Sequence, residues 1–208
     1  MIARLEDHPK GTAVAEQIDA ALASWSQEGF QDVYLWAFTT KVDGLLYEGD
    51  NASAKALLRK QWKQIWRIRK LVATLHRTEL MWIYARLHLA CGLNRKRRKH
   101  VLRFINLLDT EPRAWAHGFG RLLNAGVALS DGDTTAALDA TSKARSSFEE
   151  HDMGAYAHLS RRVGAVLSGD DGAVARTDAW VQAQGVRAPE KMARWFFPHS
   201  RVAIGGAV

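Results

Sequence analysis

The sequence predicts an all-α protein in which antiparallel helix pairs stack as an α-solenoid, and three observations predict it. Apolar residues recur at helical spacing over nearly the whole chain. A glycine–aspartate turn repeats at near-even intervals. Only four prolines interrupt the 208 residues, so long helices are permitted. About ten helices are expected across residues 1–198, with 199–208 a flexible tail.

Pro9 to about Trp25 places Ala13, Ile18, Ala21, Leu22 and Trp25 on one stripe, and Gly29 ends it. The next stretch is ambiguous, because Val33-Tyr34-Leu35-Trp36-Ala37-Phe38-Thr39-Thr40 is rich in strand formers. Leu35, Phe38, Val42, Leu45 and Leu46 nonetheless keep the helical period, and no second strand candidate lies nearby, so a helix from Val33 to Leu46 is predicted. Asn51 to Trp66 carries Ala54, Leu57, Leu58, Trp62, Ile65 and Trp66 on one side. From Arg69 to Cys91, Leu71, Leu75, Leu80, Ile83, Leu87 and Ala90 face inward. Arg97 to Leu108 is a shorter helix with Val101, Leu102, Ile105 and Leu108 inward. Thr110-Glu111-Pro112 reads as a helix opening, a capping hydroxyl followed by an acid and a proline. That helix runs to Ser130 through Trp115, Leu122, Leu123 and Val127. Helices follow at 134–150, 154–168 and 170–184, and a short one from Pro189 is stopped by Pro198. The core is expected to include Trp25, Leu35, Trp62, Trp66, Leu87, Trp115 and Leu122.

The repeat is carried by turns. Leu46-Tyr47-Glu48-Gly49-Asp50 precedes Ser53-Ala54, and Leu129-Ser130-Asp131-Gly132-Asp133 precedes Ala136-Ala137 at the same offsets. Leu167-Ser168-Gly169-Asp170 is a looser third copy. Glycine suits the left-handed residue that ends a helix, and aspartate suits the cap of the next. Gly49, Gly92, Gly132 and Gly169 are separated by 43, 40 and 37 residues. That period fits a tetratricopeptide-like (TPR-like) helix–turn–helix unit, somewhat longer than the usual ~34 residues.

Composition narrows the function. With 47% hydrophobic and 25% charged residues the chain is ordinary globular protein. Its eight tryptophans suit the wide gaps between packed helices. A single cysteine, Cys91, excludes an intrachain disulfide and a multi-cysteine metal site, and reads as a small buried hydrophobe in a reducing, cytoplasmic compartment. The first residues, Met1-Ile2-Ala3-Arg4-Leu5-Glu6-Asp7, do not read as a signal peptide, and no run of ~18 apolar residues is present to span a membrane.

Catalytic and cofactor motifs fail residue by residue. Gly164-x4-Gly169 has phosphate-loop spacing, but Asp170 and Asp171 stand where lysine and a hydroxyl are needed. Gly118-Phe119-Gly120 begins like a nucleotide-binding glycine loop, but Leu123 occupies the third glycine position and no strand precedes it. His76-Arg77-Thr78 lacks the aspartate of a kinase catalytic loop. None of the eight histidines pairs with another three or four residues away, as a helical metal site requires. No cofactor, metal or catalytic residue is therefore expected.

The formal charge of +7 is gathered in two clusters. Arg59, Lys60, Lys63, Arg67, Arg69 and Lys70 span the turn joining two helices, and Arg95-Lys96-Arg97-Arg98-Lys99-His100 opens the next helix. Cations at a helix start oppose its dipole, which points to a loop there or to an external anion. The clusters read first as solvated edges of the repeat; where they bind, Arg67, Arg69, Lys70, Arg97 and Arg98 are the expected contacts for an acidic protein partner, with a basic nucleic-acid-binding helical protein as the weaker alternative.

Several stretches resemble a known family. Ser24-Trp25-Ser26-Gln27-Glu28-Gly29-Phe30, and Leu46-Tyr47-Glu48-Gly49-Asp50 running to Trp62, resemble the C-terminal TPR-like region of large bacterial serine/threonine protein kinases of planctomycete and myxobacterial type. Phe148-Glu149-Glu150-His151-Asp152-Met153 with Arg161-Arg162 looks like that region's penultimate unit, and residues 179–193 look like its terminal sequence. The resemblance spans about Leu5 to Pro198 and implies a regulatory protein-binding scaffold, with a kinase among the possible partners. The kinase domain itself is absent from this chain. An array starting at Met1 also implies a first helix without its usual neighbour, and hence self-association at that end. Binding is expected in the groove lined by one helix of each pair.

Overall fold

Each Gly–Asp corner closes the same hydrogen-bond pattern, and that pattern divides the chain into helices. The computed structural model describes residues 11–25, 32–68 and 74–199, with side chains left out at 11–14, 32, 64, 66–68 and 74–76. Gly49, Gly132 and Gly169 take φ of +79°, +83° and +71°, a left-handed turn that a side chain opposes. The next amide then donates back across the helix end: Asp50 N to Leu45 O at 2.8 Å, Asp133 N to Ala128 O at 2.9 Å, Asp170 N to Ala165 O at 2.9 Å. The same aspartates accept from the following helix through Oδ1, from the amides of Ser53 (3.0 Å), Ala136 (2.8 Å) and Ala173 (2.8 Å). Gly49 with Asp50 and Gly132 with Asp133 thus stand at the corners expected of them. At the turn between the helices that end at Glu149 and begin at Gly154, the left-handed residue is Asp152, with φ of 56°.

Ten helices result among the described residues: α1 Gly11–Ala23, α2 Asp32–Glu48, α3 Asn51–Ile68, α4 Thr74–Ala90, α5 Arg95–Asp109, α6 Trp115–Ser130, α7 Thr134–Glu149, α8 Gly154–Ser168, α9 Asp171–Ala183 and α10 Pro189–Phe196. The ambiguous stretch lies inside α2, because Leu35, Phe38, Val42, Leu45 and Leu46 all turn to one buried face. The expected helix start at Arg69, the inward Leu71, and residues 200–208 of the tail lie outside the described residues, as do the side chains of Ala13, Trp66 and Leu75.

Three expectations need correction. Thr110-Glu111-Pro112 does not open a helix: Thr110 closes α5, its hydroxyl donating to the carbonyls of Asn106 (2.9 Å) and Leu107 (3.2 Å). Glu111 is instead buried, accepting from Arg77 Nη2 at 2.7 and 3.0 Å, and α6 starts at Trp115. Trp25 is not core but 49% exposed, since α1 has ended at Ala23. Leu102 is 38% exposed, and Phe104 takes the inward place on α5.

The helices share one buried core, to which Leu35, Leu87 and Leu122 belong outright and against which Trp62 and Trp115 pack partly buried. Consecutive helices pack on each other, and α2 meets α4 as α4 meets α6. Close approach here uses the glycines of α6: a Cβ at Gly118 would lie 2.6 Å from Phe148 Cε1, and one at Gly126 2.6 Å from Leu89 Cδ1. Gly118-Phe119-Gly120 therefore serves helix packing.

The last described helix packs back on earlier ones. α10 turns back onto both α2 and α8. Phe196 and Phe197 are 0% and 1% exposed, with the Phe196 ring 6.1 Å from Trp82 of α4 and 5.8 Å from Tyr156 of α8. Arg86 Nη1 donates to the Trp195 carbonyl at 2.6 Å, and Lys191 pairs with Glu48 at 2.9 Å. The face shared by α2, α4 and α8 is thus covered by α10.

Candidate functional site

Lys55, Arg59 and Lys63 stand four residues apart along α3, and that spacing puts all three on one helix face. Leu58 and Trp62, beside them, turn toward the core and anchor the helix. Across from this face, α4 supplies Tyr84, Leu87 and His88, and the start of α5 supplies Lys96, Arg97 and His100. Asn94 fixes that start, its side-chain oxygen accepting from Arg97 N at 2.9 Å. The space between the three helices is a cleft of about 460 Å³, and among the described residues no acid lines it.

Its floor is aromatic and already packed. The Trp62 and Tyr84 rings lie 4.0 Å apart, Tyr84 is 4.9 Å from Phe104, and His88 meets Tyr84 edge-on at 4.4 Å. Burial pushes the Tyr84 phenol up. His88 is pushed down to about 4 by burial first, then by His100, Arg97 and Lys55, so its ring is neutral near pH 7. Its Nε2 is buried without a hydrogen-bond partner. Among the described residues, none of Lys55, Arg59, Lys63 and Lys96 is ion-paired.

The sequence-predicted contacts divide three ways. Arg69, Lys70 and the side chain of Arg67 lie outside the described residues. Arg97 lines the cleft, while its Nη1 donates to the carbonyls of Cys91 (2.8 Å) and Gly92 (2.7 Å) and so holds the end of α4. Arg98 points elsewhere, to Asp131 at the α6–α7 corner. Beside it Arg95, Lys99 and Arg103 flank the exposed Leu102 and Leu107, giving α5 a second basic face. Lys55 and His88 were missed, while Arg59, Lys63, Lys96 and His100 stood in the basic clusters but not among the expected contacts. The Lys55–Arg59–Lys63 spacing could have been read from sequence, whereas the meeting of His88 with His100 depends on how α4 packs on α5.

Among the described residues no group of three His, Cys, Asp or Glu side chains could hold a metal ion, and no helix is long and apolar enough to cross a membrane. No family model matches the chain, and no curated protein or solved structure matches it.

Proposed function

We propose that the chain is a non-catalytic TPR-like scaffold that binds an acidic segment of a partner protein in the cleft of α3, α4 and α5. One observation carries this reading: a cleft of about 460 Å³ that, among the described residues, is ringed by cations with no ion-pair partner and lined by no acid. α5 is helical from Arg95, so its first turn sets cations against the positive end of the dipole. An external anion relieves that opposition. Second-neighbour packing of α2 on α4 and α4 on α6 supports the stacked-repeat reading, as does the resemblance to kinase-associated repeats. With α10 seated across α2 and α8, the cleft is the better place for a partner than the groove expected from the repeat.

A protein is favoured over a nucleic acid because Trp62, Tyr84 and Phe104 pack on one another, and stacking a base between them would cost that packing. The test is fluorescence anisotropy with a labelled peptide of glutamates and spaced leucines, against a single-stranded oligonucleotide of equal charge. The chain should bind the peptide, and K55E/R59E/K63E should weaken it at least ~tenfold, about 1.4 kcal/mol. Bound carboxylates should also raise the His88 pKa, read by NMR. Tighter binding of the oligonucleotide, or an unaffected triple variant, would overturn the proposal.

A further inference from the structure

Beneath α10 lies a second cavity of about 300 Å³, bounded by Asp43 of α2, Glu79, Trp82 and Arg86 of α4, Tyr156 of α8 and Trp195 of α10. Its charges are unevenly matched. Arg86, 1% exposed, is committed to Asp43 and to the Trp195 carbonyl, and its guanidinium lies 5.2 and 5.0 Å from the Trp82 and Trp195 rings. Asp43 and Arg86 therefore cancel. Glu79 has no cation of its own, and among the described residues no other ionisable group than Asp43, Arg86 and Tyr156 lines the cavity with it. Burial, then the Asp43 charge, push Glu79 up to about 7, even though Arg86 acts the other way. Burial likewise pushes up the Tyr156 phenol, which stays a neutral hydroxyl.

Two further features ask for a ligand. The walls are the rings of Trp82, Tyr156 and Trp195; Arg86 already lies over the two indoles, and among the described residues no cation lies over Tyr156, whose ring can attract an organic one. Arg86 Nε and Trp195 Nε1 are donors buried without an acceptor, on side chains 1% and 8% exposed. A missing hydrogen bond at such an atom costs ~1–3 kcal/mol, so an arriving oxygen is favoured.

We propose that this cavity binds a small organic monocation carrying a neutral hydroxyl or carbonyl, its ammonium against Glu79 and the aromatic walls, its oxygen at Arg86 Nε and Trp195 Nε1. The charge count selects this class. Ionised Glu79 leaves one negative charge over, which a monocation neutralises and a zwitterion does not. The volume stands at the small end of ligand pockets and suits an amino alcohol. Binding requires ionised Glu79, so near pH 7 it releases a proton, and affinity rises from about pH 6 to about pH 8. Because Trp195 forms one wall, occupancy also tightens the seat of α10.

Isothermal titration calorimetry of the whole chain with choline chloride and with ethanolamine hydrochloride tests this, using two buffers of different ionisation enthalpy and with potassium chloride and glycerol as controls. Saturable binding of an amine is expected, with proton release, and with affinity at least ~tenfold lower in E79Q, whose fold is checked by circular dichroism. W195F keeps an aromatic ring, smaller than the indole, and removes the donor, and it should weaken binding severalfold even if E79Q misfolds. Heats no different from potassium chloride or glycerol, or amine binding unchanged in the folded variants, would overturn the proposal.

Discussion

Replacing Glu79 with glutamine should stabilise the chain in mildly alkaline solution and change little in mild acid. In the unfolded chain the carboxyl titrates at its ordinary value of 4.5, whereas burial beside Asp43 raises it to about 7 in the folded state. Between those values the folded state holds a proton that the unfolded state has lost. Stability is therefore intact below the lower value and falls as pH rises through the upper one. At about 1.4 kcal/mol per unit, the full shift corresponds to about 3 kcal/mol, and partial exposure of the group brings the expected loss to about 2–3 kcal/mol. Glutamine keeps the shape and never ionises, so it removes the loss. Urea unfolding followed by tryptophan fluorescence, at about pH 5 and about pH 8.5, should show E79Q close to the parent at the lower pH and about 2 kcal/mol more stable at the higher. A difference between the two proteins that does not change with pH would refute the reasoning.

Three other substitutions probe the packing. R86M strands the Asp43 carboxylate in the core and should cost ~3–5 kcal/mol in urea unfolding, while R86M/D43N should recover much of it. G118A places a methyl against the Phe148 ring and should cost ~1–3 kcal/mol by the same assay. D152G relieves a left-handed turn and should raise stability by ~0.5–1 kcal/mol, seen as a higher melting temperature.

Local chemistry was legible in the sequence and distant contact was not. The Gly–Asp corners could be read because glycine's left-handed turn and aspartate's cap are settled within a few residues of each other. The helical face of α2 outweighed its strand-forming residues for the same reason. Thr110 misled because its hydroxyl is as well satisfied by the carbonyls ending α5 as by the amides starting a new helix. The return of α10 has no local signal: Arg86 and Trp195 are 109 residues apart, and Lys191 and Glu48 are 143 apart. The basic cleft lies between these cases. Its α3 edge is written in the spacing of Lys55, Arg59 and Lys63, but its floor exists only once Tyr84 packs on Trp62 and Phe104.

Hydrogen–deuterium exchange with and without the acidic peptide asks most directly where a partner sits. The cleft account predicts slower exchange in α3 and the first turns of α5, with α7 to α9 unchanged. Protection of α2 and α8 with faster exchange in α10 would contradict it, because the partner would then be displacing α10 from the face shared by α2, α4 and α8.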